Sequence, residues 1–396
     1  RRATRDFTPQ NKGILGWPLG YFCRTNTKHM PETLDTLPMT GPMSTMQRMG
    51  HEQLVYCHDE ASGLRAIIGI HSTVLGPALG GTRMWNYASE DQAVMDVLRL
   101  SQGMTYKASV AGLDLGGGKA VIFGDARQHK SEALFKAYGR FVNSLSGKYI
   151  TAEDVGTSKS DMEWIATETK HVSGLPESMG GSGDPSPVTA YGVYMGMKAG
   201  ARVALGNDSL EGRKVLVQGV GNVGTYLVEH LVAEGAHVWI SDVYEPSIQK
   251  LLSRFPQLEV CQPDQVASAD VDIYAPCALG ATLNAQSIAN LRCALVAGGA
   301  NNQLATDEDM QRLMDRSIAY APDFVINAGG LINVYAEIKG LNREWALQKT
   351  RGIYDQTLAI FEQAAQNRVS TNEAAVRLAH QRLTKVAHDQ QASSSR

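Results

Sequence analysis

KVLVQGVGNVGTYLVEHLVAEGAHVWISD, residues 214–242, decides the fold. Lys214–Gln218 reads as a strand. Gly219, Gly221 and Gly224 follow at G-x-G-x-x-G spacing, with Asn222 and Val223 between the last two. Thr225–Glu234 is then a helical run, and His237–Ser241 a second strand that ends at Asp242. The glycine pattern alone is weak. Here it follows a strand, opens a helix and has an acid 18 residues after its last glycine, which is the full context the pattern requires. The glycines allow a pyrophosphate to lie against the helix N-terminus, where free N–H groups and the helix dipole favour anions. Asp242 can accept from a ribose diol and would repel a 2′-phosphate, so the stretch reads as a site for NAD rather than NADP. A tight strand–helix turn without a ligand is the competing reading.

Strand candidates continue downstream at Val271–Ala275, Ala294–Ala297 and Phe324–Ile326. Alternating with helices, they predict a doubly wound parallel sheet. Pro276–Gly280, Gly298–Asn302 and Asn327–Gly330 are then loops at the carboxyl ends of strands, where the ligand crevice of such a sheet lies. Leu331–Lys339, Trp345–Gln363 and Asn372–His388 read as helices and Gln390–Arg396 as a disordered tail.

Upstream, Gly180–Pro187, GGSGDPSP, is the clearest internal boundary. It reads as a hinge lining a cleft, and Val188–Leu205 after it as a helix. Before it, Gln53–Cys57, Leu64–His71, Ala120–Phe123 and Tyr149–Ala152 read as strands, the last ending in Glu153–Asp154. Ser89 with Gln92 opens a helix toward Met104, Ser131–Leu145 is another, and Ser160 with Glu163 looks like a capping box for a helix to Thr169. The stretch Thr105–Lys119, TYKASVAGLDLGGGK, sets Lys107 and Lys119 in an apolar, glycine-rich run whose one acid is Asp114. A lysine in a dry cleft loses proton affinity and can act as a base, whereas one facing an anion stays charged and fixes it. A loop with two solvated lysines is the alternative.

The chain has 396 residues, too many for one ordinary core, so two domains are expected. Net charge −3 offers no basic field for nucleic acid. No apolar run approaches the ~18 residues of a membrane span. Cysteines are odd in number (5) and none forms C-x-x-C, which points to reduced thiols in a cytoplasmic compartment. Cys277 and Cys293 sit in apolar runs and read as core. His51, His58 and His71 lack metal-ligand spacing, so no metal is expected. Residues 1–43 carry six Lys or Arg in the first thirty positions and no periodicity. They read as a disordered or spurious upstream extension, a transit peptide being the alternative.

From about Met46 to His388 the chain resembles the glutamate/leucine/phenylalanine/valine amino-acid dehydrogenases, its leucine-type branch most. The resemblance runs through GPALGGTRMW (76–85), GMTYK (103–107), GGGKAVI (116–122), TAEDVG (151–156), GDPSPVTAYGV (183–193), QGVGNVG (218–224), YAPCALGAT (274–282), GGANNQL (298–304) and APDFVINAGGLINV (321–334). It implies a two-domain α/β fold. Residues 44–179 would form the substrate domain, completed by C-terminal helices at about 366–390, and 180–365 the Rossmann-type NAD domain. It also implies reversible oxidative deamination of an amino acid to a 2-oxo acid and ammonia by a homo-oligomer, an octamer or a dimer.

The resemblance carries roles as well. Lys107 would pair with the substrate carboxylate, beside the backbone of Gly80 and Gly81. Lys119 and Asp154 would be the catalytic pair. Thr189 and Asn301 would hold the nicotinamide carboxamide, and Gly219, Gly221, Asn222, Val223, Gly224 and Asp242 the rest of the dinucleotide. Leu79, Ala152, Leu331 and Val334 would line the side-chain pocket. An apolar lining offers a second carboxylate no partner, which disfavours glutamate. Leu331 stands where a leucine-type chain would carry valine. Since one methylene discriminates by only about 1–3 kcal/mol, overlapping use of leucine, isoleucine and valine is expected. A phenylalanine- or valine-preferring enzyme and a non-catalytic NAD-binding sensor are the alternatives.

Overall fold

A computed structural model of the chain describes residues 41–394 and shows two sheets. The expectation for the first 40 residues lies outside the described residues. Pro42 and Met43, expected in the extension, instead begin the helix Pro42–Arg48.

The first sheet contains β1 (Gln53–Asp59), β2 (Leu64–Ser72), β3 (Ala78–Trp85), β4 (Gly116–Phe123) and β5 (Tyr149–Glu153), in the order β1-β2-β4-β3-β5. β1, β2 and β4 run antiparallel in turn, and β3 lies parallel to both β4 and β5. β3 was not legible as a strand, because its two adjacent glycines break any alternation. The glycine triplet Gly116–Gly118 also belongs to a strand. A Cβ on Gly117 would collide with the Thr105 amide, and one on Gly118 would lie 2.6 Å from the Tyr149 ring. Gly117 therefore lets the sheet lie close to the helix Glu90–Val110, and Gly118 makes room for the Tyr149 ring of β5. That helix is capped by Ser89, whose Oγ accepts from the Gln92 amide at 3.2 Å, and it runs through Lys107. The lysine is thus helical and not in a loop.

The second sheet contains β6 (Lys214–Gln218), β7 (His237–Ser241), β8 (Glu259–Val260), β9 (Ile273–Pro276), β10 (Leu295–Val296) and β11 (Ala319–Tyr320). All its pairs are parallel, in the order β11-β10-β9-β6-β7-β8. Six parallel strands wound outward in both directions from the first make the Rossmann arrangement, with its switch point between β6 and β9. Gln218 pairs with Pro276 at that point, so the loops after both strands open onto one crevice.

Four further expectations change. Phe324–Ile326 lies in a short helix, Asp323–Ile326, and the strand is Ala319–Tyr320 before it. A brief apolar run does not distinguish the two by period, and the helix begins directly after Pro322, its N-cap residue. The capping box is Ser158 with Asp161 rather than Ser160 with Glu163, so those two fall inside the helix Lys159–Ala166. The helix expected at Trp345–Gln363 is interrupted at Gly352, between Arg343–Arg351 and Ile353–Asn367. Finally, Gln390–Ser394 is not a loose tail but the end of the helix Thr371–Ser394, where Gln390 Nε2 donates to the Val74 carbonyl at 2.9 Å.

One apolar cluster runs from Leu79 and Ile150 in the first sheet through Ala190 and Met197 to Val215 and Ile273 in the second. It ties the two halves together at the base of the cleft.

Candidate active site

Four elements of the first half converge. β3 brings Leu79, Gly80, Gly81 and Arg83, β4 brings Lys119, the end of β5 leads to Asp154, and the helix Glu90–Val110 carries Lys107. Gly81 pairs with Ala152 and Thr82 with Glu153, so the β3 glycines lie beside the approach to Asp154. A Cβ on Gly81 would lie 2.8 Å from the Asp154 Cβ, and one on Gly80 would run into the Gly118 carbonyl oxygen. Both positions need glycine because three strands crowd there. The Gly80 carbonyl accepts from the Tyr149 hydroxyl at 2.6 Å.

Lys119 is buried, and its Nζ lies 2.8 Å from Asp154 Oδ2. Arg83 Nε donates to the same oxygen at 3.1 Å. Burial raises the Asp154 pKa, but Lys119 and Arg83 together outweigh it and leave the carboxyl below its usual range. The Asp154 backbone is fixed too, its amide donating to Thr157 Oγ1 at 2.9 Å.

Lys107 faces the second half. Its Nζ donates to Asn301 Oδ1 at 3.3 Å, an oxygen that also accepts from Asn327 Nδ2 at 2.8 Å. Desolvation lowers the Lys107 ammonium to about 8, opposed by the Asp323 carboxylate. A bound carboxylate would reverse that fall, as an anion clamp requires. Asn301 therefore bridges the cleft to Lys107, in addition to the cofactor role expected of it.

On the dinucleotide side the three glycines differ. Gly219 has φ +92° and its Cβ would lie 2.6 Å from the Ala278 backbone nitrogen. A Cβ on Gly224 would strike the Gly219 carbonyl oxygen, so that glycine seats the helix Asn222–Ala233 on β6. Gly221, the N-cap of that helix, faces open space. Turn, close packing and an open approach to the helix N-terminus are the three requirements of a pyrophosphate cradle. Asn222 and Val223 begin the helix, and Val223 packs toward Gly299, where a Cβ would lie 2.9 Å from its Cγ1. Asp242 sits at the end of β7, where Oδ2 accepts from the Val220 amide at 2.7 Å and Oδ1 from Tyr244 at 2.9 Å. Thr189 caps back onto the Pro185 carbonyl at 2.9 Å, and a Cβ on Gly330 would lie 2.8 Å from its Oγ1.

Of the expected pocket residues, Leu79 and Leu331 are buried in one apolar cluster and Val334 packs against it. Leu331 and Val334 share a face of the helix Gly329–Ile338, three residues apart. Ala152 is half-buried at the end of β5 and lies outside that cluster. A separate cavity of about 1010 Å³, lined by Tyr191, His230, Glu337 and Arg351 among others, contains none of these groups. Sequence reasoning missed Arg83, Asn327 and Asp323, although all three stand inside quoted motifs.

The matching family models are "Glu/Leu/Phe/Val dehydrogenase, dimerisation domain" over residues 51–171 and "Glutamate/Leucine/Phenylalanine/Valine dehydrogenase" over residues 180–391. The chain belongs to the Glu/Leu/Phe/Val dehydrogenase family. It is an amino-acid dehydrogenase with the two-domain fold of that family, whose Rossmann-type half takes a nicotinamide cofactor. Leucine dehydrogenase of Thermoactinomyces intermedius is 53% identical over 338 residues, covering 85% of this chain and 92% of that one. Valine dehydrogenase of Streptomyces virginiae is 51% identical, covering 85% and 94%. The crystal structure of L-tryptophan dehydrogenase from Nostoc punctiforme superposes with a TM-score of 0.79 at 44% identity, covering 87% of this chain and 99% of that one.

Proposed function

We propose that this family member is an NAD-dependent dehydrogenase of leucine, isoleucine and valine, converting each reversibly to its 2-oxo acid and ammonia. The observation that carries the reading is the Lys119–Asp154 contact of 2.8 Å, at the cleft where Lys107 reaches Asn301. Lys107 holds the substrate carboxylate, with the Gly80–Gly81 backbone alongside. Asp154 takes a proton from the substrate ammonium. A bound nicotinamide would supply the hydride acceptor, and loss of the hydride from Cα would leave the substrate as an iminium. Lys119 takes one proton of the water that attacks it, and Asp154 returns its proton to nitrogen; the C–N bond then breaks, the remaining hydroxyl proton passes to the departing ammonia as the carbonyl forms, and ammonium leaves. Thr189 and Asn301 would hold the nicotinamide carboxamide.

Asp242 supports NAD over NADP, since its fixed carboxylate would oppose a 2′-phosphate. Leu79, Ala152, Leu331 and Val334 form the side-chain pocket, and Leu331 favours the shorter branched chains. Residues 44–179, with about 366–390, form the substrate domain and 180–365 the NAD domain. A homo-oligomer, octamer or dimer, is supported by the dimerisation domain named in the first family model. The four described cysteines are free thiols, in keeping with the cytoplasm. Among the described residues no helix is long and apolar enough to cross a membrane.

The test is NAD reduction with leucine, isoleucine, valine, phenylalanine, tryptophan and glutamate, each repeated with NADP. Fast turnover of the three aliphatics with NAD is expected. Preference for an aromatic substrate would refute the pocket assignment, and equal use of NADP would refute the role of Asp242.

A further inference from the structure

Asp154 is gripped by two cations on a single oxygen. Lys119 Nζ and Arg83 Nε approach Oδ2 at 2.8 and 3.1 Å, and among the described residues no hydrogen bond reaches Oδ1. Arg83 is itself braced. Its Nη1 donates to Asp96 Oδ2 at 3.0 Å, and the Tyr87 hydroxyl donates to that same oxygen at 2.6 Å. The chain Lys119–Asp154–Arg83–Asp96–Tyr87 thus runs from the buried lysine out to the helix Glu90–Val110 and back to the residues after β3.

Lys119, as read above, changes its proton state during turnover. A guanidinium does not. We propose that Arg83 is the positioning residue of this reaction. By occupying Oδ2 whatever the state of Lys119, it keeps Asp154 ionised in the free enzyme and leaves Oδ1 as the oxygen that takes and returns the substrate proton. The inference rests on the roles given to Lys119 and Asp154.

The geometry supports it from three sides. β3 and β5 are parallel neighbours with Thr82 beside Glu153, so Arg83 rises next to Asp154 from an adjoining strand. Thr157 Oγ1 accepts from the Asp154 amide and donates to the Thr82 carbonyl at 2.9 Å, which fixes the backbone between the two residues. Asp96 and Tyr87 then hold the far end of the guanidinium. The other ionisable groups that act on Asp154 or feel its charge are Lys107, Glu153, Tyr149 and Tyr87. Lys107 is committed to the substrate carboxylate and Glu153 is an acid. Among the described residues Arg83 is therefore the one cation that remains on Asp154 when Lys119 is neutral and Lys107 is occupied.

If Arg83 only tied β3 to the neighbouring helix, its loss would change stability and leave the pH dependence where it was. The test is therefore the pH profile of kcat/KM for the amino acid in Arg83→Gln, Arg83→Lys and Asp96→Asn. Arg83→Gln is expected to lower kcat about a hundredfold. It should also move the acidic limb to higher pH by about one unit, because an attractive charge has left the carboxylate. KM for NAD should not change. Arg83→Lys should return the limb to its original place with part of kcat. Asp96→Asn leaves the guanidinium charged but unbraced, so it should lower kcat about tenfold without raising the limb. An unmoved acidic limb in Arg83→Gln overturns the proposal, whatever happens to kcat. If that variant does not fold, unchanged kcat in Asp96→Asn overturns it. Absence of turnover in the unmodified protein would instead overturn the underlying function.

Discussion

Lys107 and Lys119 are the same residue type twelve positions apart, and their surroundings divide their tasks. Lys119 is buried against a carboxylate. Lys107 has an amide oxygen as its hydrogen-bond partner, and desolvation lowers it to about 8. Its proton affinity is restored only when an anion arrives, so its contribution belongs to binding. Lys107→Ala should raise KM for the amino acid by about 10- to 100-fold, the worth of one charge-assisted hydrogen bond of roughly 1.5–3 kcal/mol, and KM for NAD should stay put. Steady-state kinetics with each substrate varied in turn check this. A rise confined to KM for NAD would contradict it. The two lysines and Asp154 were legible because the motifs around them are long and ordered. Arg83 was not, since its importance lies in a contact between strands 71 positions apart that no local spacing reveals.

Among the elements, both strands of the strand–glycine–helix unit at 214–242 were read to the residue, because strand period, glycine spacing and terminal acid agree there, while the helix between them begins at Asn222, three residues before the expected Thr225. The structure adds that its glycines are not equivalent. Gly221→Ala meets open space and should leave the melting temperature nearly unchanged while weakening NAD binding. Gly224→Ala forces a methyl into the Gly219 carbonyl and should cost about 1–3 kcal/mol of stability. Calorimetric melting and NAD titration of both variants separate the effects, and equal melting points would contradict the assignment. The strands of the first sheet were harder to read. β3 and the start of β4 are glycine-rich because backbone crowds backbone, and glycine carries no period.

Two histidines pack against the helix that carries Lys107, His51 from the loop before β1 and His71 from β2. His71 Nδ1 bonds Thr105 Oγ1 at 2.8 Å, and its ring lies 4.6 Å from that of His51. Burial, with the nearby His51 adding to it, pulls His71 down to about 3. The folded state thus holds this ring neutral while the unfolded chain protonates near its ordinary value of 6.5. Stability from it is complete above that value and is lost as pH falls toward 3. Urea midpoints should therefore decline as pH falls between about 6.5 and 5. A midpoint that holds steady down to pH 5 would contradict this.

At the scale of the whole molecule, the last helix closes the chain onto the site. Ala374, Ala375 and Ala379 are buried, and Ser109 Oγ donates to the Ala379 carbonyl at 2.8 Å. Arg382 donates to the Leu113 carbonyl and to Asp114 Oδ1, each at 2.7 Å, just past the end of the Lys107 helix. A cation there satisfies carbonyls that a helix terminus leaves open. Arg382→Ala should lower stability by about 1–2 kcal/mol, measured by urea unfolding. An unchanged midpoint would mean the last helix docks without it. The return of this helix was anticipated, but its length was not, because polar residues at 390–394 carry no apolar face to mark a helix.

The central claim is that Lys119 performs chemistry at a site built by both halves, and Lys119→Ala tests it most directly. NAD affinity would be measured by titration and leucine turnover by absorbance on the same preparation. The expected result is an unchanged NAD affinity with kcat lowered by about a thousandfold or more, the scale of a lost general base. Turnover within tenfold of the unmodified protein would contradict the account.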